Sequence, residues 1–374
     1  MSQKITEEFL RAMPKTDLHL HLDGSLRITT MIELAKERGI SLPSEDPVKL
    51  KKMLTLGGIH ENLESYLRVF DSTLNVLQDE DALTRVAYEL AEDAAAENCK
   101  YIEVRYSPVL HQRLGLTMPV IIESVAEGLR AAKRKFGILS GQIVCGMRHM
   151  TPQTSLRLAE LTVAFKNKGV VGFDLAGAEW NNPADHHAQA FEFVRKNNLN
   201  STVHAGEAYG PRSIHQAIHD CNAHRIGHGT RLREDGDLLN YVNDHRIPLE
   251  VCLKSNVQTG AVDCVENHPL KFYMDFGLRV TLNTDNRLVT DTTITDEYLL
   301  ACEVFDLSYD EIRRLVVDGF KSAFMPFRKK REIMVKVLQE FDAISREHGL
   351  ASEFLPTGVS RYGVDRIGED PLPD

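Results

Sequence analysis

Short apolar runs of strand-forming character recur along the chain, each followed by a stretch long enough for a helix. They are 16–22 (TDLHLHL), 101–107 (YIEVRYS), 141–148 (GQIVCGMR), 170–177 (VVGFDLAG), 201–207 (STVHAGE), 225–229 (RIGHG), 248–256 (PLEVCLKSN) and 279–286 (RVTLNTDN). Between them the apolar period becomes that of a helix. Over 79–97, Leu83, Val86, Leu90 and Ala94 fall on one face. Over 118–136 a helix is predicted, with Thr117 as N-cap and Pro119 in its first turn. Eight strands alternating with helices predict an α/β fold closed into a (β/α)8 TIM barrel. An open doubly wound sheet is the alternative, but no phosphate loop or dinucleotide fingerprint favours it.

Two segments lie outside this repeat. Residues 27–78 form a helical insertion after strand 1, in which Leu63, Tyr66, Leu67, Phe70, Leu74 and Leu77 share one stripe. That stripe either seals the barrel or lids a ligand. Beyond strand 8 extra C-terminal helices are predicted, ending with 326–349, where Phe327, Met334, Val337, Leu338, Phe341 and Ile344 make a packing face. Residues 1–351 thus read as a single domain. Residues 352–374, rich in Pro, Gly and acids, read as a loosely held tail.

Composition narrows the function. The 374 residues carry 44 basic and 54 acidic side chains, a net charge of −10, which argues against a nucleic-acid partner. No stretch reaches the roughly 20 apolar residues of a membrane span, and the first residues contain no apolar secretory core. Six cysteines without a C-x-x-C pair read as reduced, mostly buried thiols of a cytoplasmic protein. The same absence argues against the zinc deaminases that hold their metal through P-C-x-x-C.

His19 and His21 sit at i and i+2 near the end of the first strand, so both imidazoles share a face while Leu18, Leu20 and Leu22 point the other way. Alone, such a pair is as easily chance as chemistry. His204, His228 and Asp285 also close predicted strands, and in a barrel the C-terminal strand ends converge on one mouth. Imidazoles with a carboxylate suit a divalent ion, zinc first. Strand 4 contains no lysine and ends in Asp174-Leu175-Ala176-Gly177, so one ion is expected rather than two. His215 and His219, spaced i and i+4, lack the glutamate of H-E-x-x-H and belong to the outer helical layer. His186 and His187 read as solvated neighbours.

The segments P-K-T-D-L-H-L-H-L-D-G-S-L (14–26), E-V-R-Y-S-P (103–108), D-L-A-G-A-E (174–179), V-H-A-G-E-A-Y-G-P (203–211), R-I-G-H-G (225–229), H-P-L-K (268–271) and L-N-T-D-N (282–286) carry a resemblance. In this order, over roughly 14–320, the chain resembles the adenosine deaminases of the amidohydrolase superfamily. The resemblance implies a TIM barrel with one zinc ion per chain, held by His19, His21, His204 and Asp285. It implies Glu207 as the proton shuttle to the purine ring and His228 as the residue orienting the attacking water. Asp23 would contact the ribose 5′-hydroxyl, and the Gly177 backbone a ring nitrogen.

The chemistry explains these residue types. Replacing an exocyclic amine on an aromatic ring needs a strong nucleophile at neutral pH, which a metal supplies by lowering the pKa of water toward about 7. The ring must be protonated as it is attacked, and Glu207, three residues after His204, is placed to do it. Plainer readings compete: Glu207 as an acid favoured at a helix N-terminus, His228 as a core histidine, Asp23-Gly24 as turn chemistry.

Two positions depart from the family. Asn286 stands where a second aspartate is common; its amide is a donor at every pH and could still serve a purine N7. Ala178 stands where an acid is frequent, and nothing in the sequence explains it. The expected reaction is hydrolysis of adenosine and 2′-deoxyadenosine to the inosines and ammonia, in purine salvage. Deamination of adenine or another 6-aminopurine nucleoside is the alternative, and a non-catalytic purine- or metal-binding protein a rival of a different class. The latter should have lost Glu207 or a ligand, and neither is lost.

Overall fold

The computed structural model describes residues 5–55 and 69–350. The strands are β1 (Lys15–His21), β2 (Cys99–Tyr106), β3 (Leu139–Met147), β4 (Val170–Ala176), β5 (Asn200–Ala205), β6 (Arg225–His228), β7 (Leu249–Val251) and β8 (Val280–Leu282). They pair in parallel in chain order, β1 beside β2 through to β8. Helices connect successive strands and cover the outside. This is the predicted (β/α)8 barrel.

The seam between β8 and β1 is closed by few bonds. Asp285 N–H donates to the His19 carbonyl and His21 N–H to the Asp285 carbonyl, both at 2.8 Å, and the Leu18 amide reaches Asn283 Oδ1 at 2.9 Å. Asp285 takes φ +60° here, a left-handed conformation that Asp tolerates better than most residues.

Alternation sorts the strand residues. Leu18, Leu20 and Leu22 are buried against the outer helices, while Asp17, His19 and His21 point inward. The helix 80–96 begins at an Asp79 N-cap and buries Leu83, Val86, Leu90 and Ala94. The helix 118–136 follows Thr117, which occupies the N-cap without a side-chain bond, and ends at left-handed Gly137. Both fulfil the periodicity reading.

Three expectations are corrected. The seventh run was expected as strand over 248–256, but β7 stops at Val251 and Leu253–Gln258 is helical. The strand has only to reach the barrel rim, where Glu297 accepts the Leu253 amide at 2.9 Å and supports the new helix. Phe327 is 70% exposed rather than part of the packing face of Phe327–Glu347, because it is the first residue of that helix; Met334, Val337 and Phe341 do pack. His187 is buried, bonded to Ser155 Oγ at 2.8 Å and the Arg148 carbonyl at 3.2 Å; only His186 of that pair is solvated. His215 and His219 lie exposed on the outer helix 211–219, as expected. Leu63, Tyr66 and Leu67 of the insertion stripe and the tail 352–374 fall outside the described residues, while Phe70 and Leu74 line the cavity described next.

Candidate active site

β1, β5 and the residues just past β8 bring His19, His21, His204 and Asp285 together at the C-terminal mouth. One ligand atom from each lies within 4.8 Å of the others. His21 Nε2 and His204 Nε2 approach to 3.1 Å, and Asp285 Oδ1 is 3.4 Å from His21 Nε2 and 3.5 Å from His19 Nε2.

Two of the three imidazoles, and the carboxylate, are oriented from behind. His19 Nδ1 donates to Glu250 Oε2 at 2.9 Å, which leaves its Nε2 buried and, among the described residues, with no hydrogen bond of its own. His204 Nδ1 donates to Asp174 Oδ2 at 3.0 Å. Ser255 Oγ holds Asp285 Oδ2 at 2.6 Å. Burial, with Arg105 and His204 nearby, lowers the pKa of His19 to about 4, and burial holds His21 well below its usual value. Both are therefore neutral and offer lone pairs. Burial opposes a charge on His204, but Asp174 outweighs it and raises the pKa. Asp285 remains ionised: burial would raise its pKa, and the surrounding imidazoles hold it far below the usual range. An orphaned imidazole nitrogen facing a carboxylate and two further imidazoles is a donor set that fits a divalent cation.

Behind this set the barrel interior carries an ion network that the sequence reading missed. Glu250 accepts from His19, Arg105 (2.9 Å), Thr202 (3.0 Å) and Arg225 (2.6 Å). Arg105 also meets Asp174 at 3.1 Å, and Arg225 meets Glu103 at 2.5 Å. All five charged side chains are at most 1% exposed. The signal that could have found them is plain afterwards: single charges flanked by apolar residues inside buried strands, as in I-E-V-R-Y and L-E-V.

Glu207 and His228 face each other beside the cluster, with Oε2 and Nε2 3.5 Å apart. Burial raises the Glu207 pKa, a shift that suits a carboxyl group able to give up a proton. A chain of bonds sets the His228 tautomer. Leu270 N–H donates to His268 Nδ1 (3.0 Å), His268 Nε2 to Asn256 Oδ1 (3.2 Å), and the Asn256 amide to His228 Nδ1 (3.0 Å). His228 therefore carries its proton on Nε2, toward Glu207 and the cavity. The H-P-L-K segment had matched the family without a role; it supplies the start of this relay.

The cavity over these groups, about 260 Å³, also receives Asp23, Gly177 and Asn286. Asp23 is 6% exposed, and among the described residues its Oδ1 has no partner. Burial raises its pKa to about 6. A Cβ on Gly24 would fall 1.8 Å from Asn286 Oδ1, so the glycine lets the Asn286 side chain lie against the Asp23 turn. Gly177 has φ +95°. Phe70, Asp71, Leu74, Leu110 and Arg113 form the outer wall. The residues implied by the resemblance thus line this cavity, apart from His19, which lies in the cluster at its floor.

The sequence matches the adenosine deaminase family over residues 14–340. It is 41% identical over 356 residues to the adenosine deaminase of Mycobacterium ulcerans, covering 91% of this chain and 98% of that one. It is 39% identical over 344 residues to a protein of Dictyostelium discoideum named probable adenosine deaminase; the match takes in 91% of this chain but spans about half (45%) of that longer protein. The fold matches the crystal structure of an adenine deaminase from Arthrobacter aurescens, with 27% identity and a TM-score of 0.83 over 90% of this chain and 100% of that one. A barrel with this floor of imidazoles and carboxylates, matched over most of its length, belongs to the adenosine deaminase family.

Proposed function

We propose that this chain hydrolyses adenosine and 2′-deoxyadenosine to inosine and 2′-deoxyinosine, releasing ammonia. The observation that carries the reading is the juxtaposition, in one buried cavity, of the four-ligand cluster with Glu207 and the Nε2–H of His228. His19, His21, His204 and Asp285 would hold one zinc ion, which when bound supplies a Lewis acid that makes water nucleophilic near neutral pH.

The chain's own residues do the rest. Glu207, whose pKa burial raises, delivers a proton to the ring nitrogen next to the amine-bearing carbon, so that attack does not leave an anionic ring. His228 donates from Nε2 to the oxygen joining the ring, in a tautomer fixed by Asn256 and His268. The Gly177 backbone and the Asn286 amide hold the purine edge-on. Asp23 Oδ1 accepts the sugar 5′-hydroxyl. A free base would leave that acceptor buried and unanswered, which favours a nucleoside over adenine.

The test is loss of ultraviolet absorbance on parallel incubation with adenosine, 2′-deoxyadenosine, adenine and adenosine 5′-monophosphate. The two nucleosides should turn over fastest. Faster turnover of adenine would overturn the sugar-contact reading, and no turnover of any would overturn the enzyme assignment. Residues 1–351 act as one catalytic unit in this reading.

A further inference from the structure

One buried carboxylate near the site takes no part in the chemistry above. Glu179, 5% exposed, reaches from the loop after β4 to the loop after β5. There it accepts four consecutive backbone N–H groups: Gly206 on Oε1 at 2.7 Å, then Glu207 (3.1 Å), Ala208 (2.6 Å) and Tyr209 (2.8 Å) on Oε2. Left-handed Gly206, φ +73°, turns these amides into a concave nest. A Cβ at Gly206 would lie 2.5 Å from Ile214 Cδ1, so any other residue would strain the left-handed turn and push the Ile214 side chain aside.

Four converging donors form an anion site, and only an acceptor-only, charged side chain satisfies all of them. The loop has further ties, among them the Arg231 amide to the Gly206 carbonyl at 3.1 Å and the Tyr209 ring against Trp180, and Arg148 holds the carbonyl of His204 at the end of β5 at 2.7 Å. No helix constrains residues 206–210 themselves. The backbone of Glu207 is thus fixed chiefly by a side chain from the neighbouring strand's loop, two residues beyond Gly177.

We propose that Glu179 is a positioning residue that aims Glu207 at the ring nitrogen, and that it couples the Gly177 and Glu207 sides of the cavity into one rigid jaw. This rests on the proton-delivery role of Glu207 given above. Glu179 does not touch the reacting atoms; it acts through the Glu207 backbone. An error near 1 Å in the position of a proton donor costs roughly 10² in rate, while ground-state binding, which draws on the rest of the cavity, is little affected.

The experiment is a double-mutant cycle on the full, zinc-loaded chain with adenosine: parent, Glu179→Gln, Glu207→Gln and the double variant. Glutamine at 179 keeps one acceptor oxygen but turns an NH₂ toward donors, breaking the nest. The expected result is a fall in kcat of about 10- to 100-fold for Glu179→Gln, with KM, inosine affinity and bound zinc within about threefold of the parent. In the Glu207→Gln background the same change should cost less than about threefold. Faster hydrogen exchange at amides 206–209 should accompany it. Equal losses in both backgrounds would mean a merely structural role and overturn the proposal, as would an unchanged kcat or a loss confined to KM. Near-normal kcat in Glu207→Gln alone would bring down the proton-delivery reading and this inference with it, an outcome distinct from the others. Should Glu179→Gln fail to fold, Glu179→Asp in the same cycle decides, since it keeps the charge and shortens the reach; intermediate kcat with the same non-additivity is expected, and additivity refutes.

Discussion

Replacing Glu250 with glutamine isolates the link between the buried ion network and the ligand cluster. Glu250 accepts four donors, from His19, Arg105, Thr202 and Arg225. Burial would raise its pKa, but the two guanidinium groups and His19 hold it well below the carboxylate range, so it is charged at every working pH. Glutamine retains one acceptor and turns an NH₂ against two of the four donors. Arg105 keeps Asp174 and Arg225 keeps Glu103, so neither is stranded, but the network loses a charge while both cations stay buried. Breaking a buried pair costs about 3–5 kcal/mol. With an unfolding entropy near 2.1 cal/mol/K per residue, or about 0.8 kcal/mol/K for 374 residues, Tm should fall by roughly 4–6 °C. Separately, His19 no longer has an anion to hold the proton on Nδ1; the tautomer with Nε2–H presents a proton where a lone pair is needed. Metal affinity should drop about 10- to 100-fold. The assay pairs thermal unfolding of metal-free protein with zinc competition against a chromophoric chelator. A metal-free Tm equal to the parent's would refute the charge argument, and unchanged zinc affinity would refute the tautomer argument, independently of each other.

Four further outcomes follow from the same geometry. Active protein should contain one zinc ion per chain, and dialysis against a strong chelator should abolish turnover; two ions in elemental analysis would contradict the cluster's single set of four ligands. At pH 8, above the Asp23 pKa of about 6, kcat/KM for adenosine should exceed that for its 5′-monophosphate by at least about 10-fold, because like charges juxtaposed in a buried site cost several kcal/mol, and Asp23→Ala should narrow the gap; equal values in the parent would sink this. 7-Deazaadenosine, with C–H in place of N7, should lose about 5- to 150-fold in kcat/KM, corresponding to roughly 1–3 kcal/mol, and Asn286→Leu should erase the difference between the two substrates; full activity on the deaza compound would place Asn286 away from N7. Lys15 donates to the carbonyls of Leu10 (2.5 Å), Arg11 (3.0 Å) and Met13 (2.9 Å), and burial lowers its pKa to about 8. Between pH 8 and its ordinary value of 10.5 the unfolded chain binds more protons, so stability should rise with pH there in the parent and not in Lys15→Met; parallel denaturation curves for the two across that range would refute it.

The barrel and its mouth were legible because both depend on local patterns. Period-2 alternation in TDLHLHL separates outward leucines from inward histidines, and a ligand at each strand end then meets the others by topology alone. What was not legible depends on partners far away in the chain. Whether the seventh run stays extended after Val251 is decided by Glu297, which receives the Leu253 amide some 40 residues upstream. His187 is buried because Ser155 and the Arg148 carbonyl await it, and nothing within a few residues says so. The network of Glu103, Arg105, Asp174, Arg225 and Glu250 spans four strands, and each charge taken singly looks like an error in a buried strand. Phe327 shows the opposite failure: an apolar residue in phase with a stripe, left in water because the helix begins there.

The β8–β1 seam gives the cofactor a second consequence. Three of the four proposed ligands, His19, His21 and Asp285, belong to the two chain segments that meet where the barrel closes, and Asp285 supplies both the closing amide bonds and a carboxylate. A cation held by this set is therefore a clasp on the barrel as well as a reagent. Its binding free energy is shared with closure of the sheet, worth about 4 kcal/mol of added stability when the free ion stands at a thousand times its Kd. Scarcity of the metal would then silence such a protein twice, first by removing the chemistry and then by loosening the hoop, so that idle copies are also the ones most open to proteolysis.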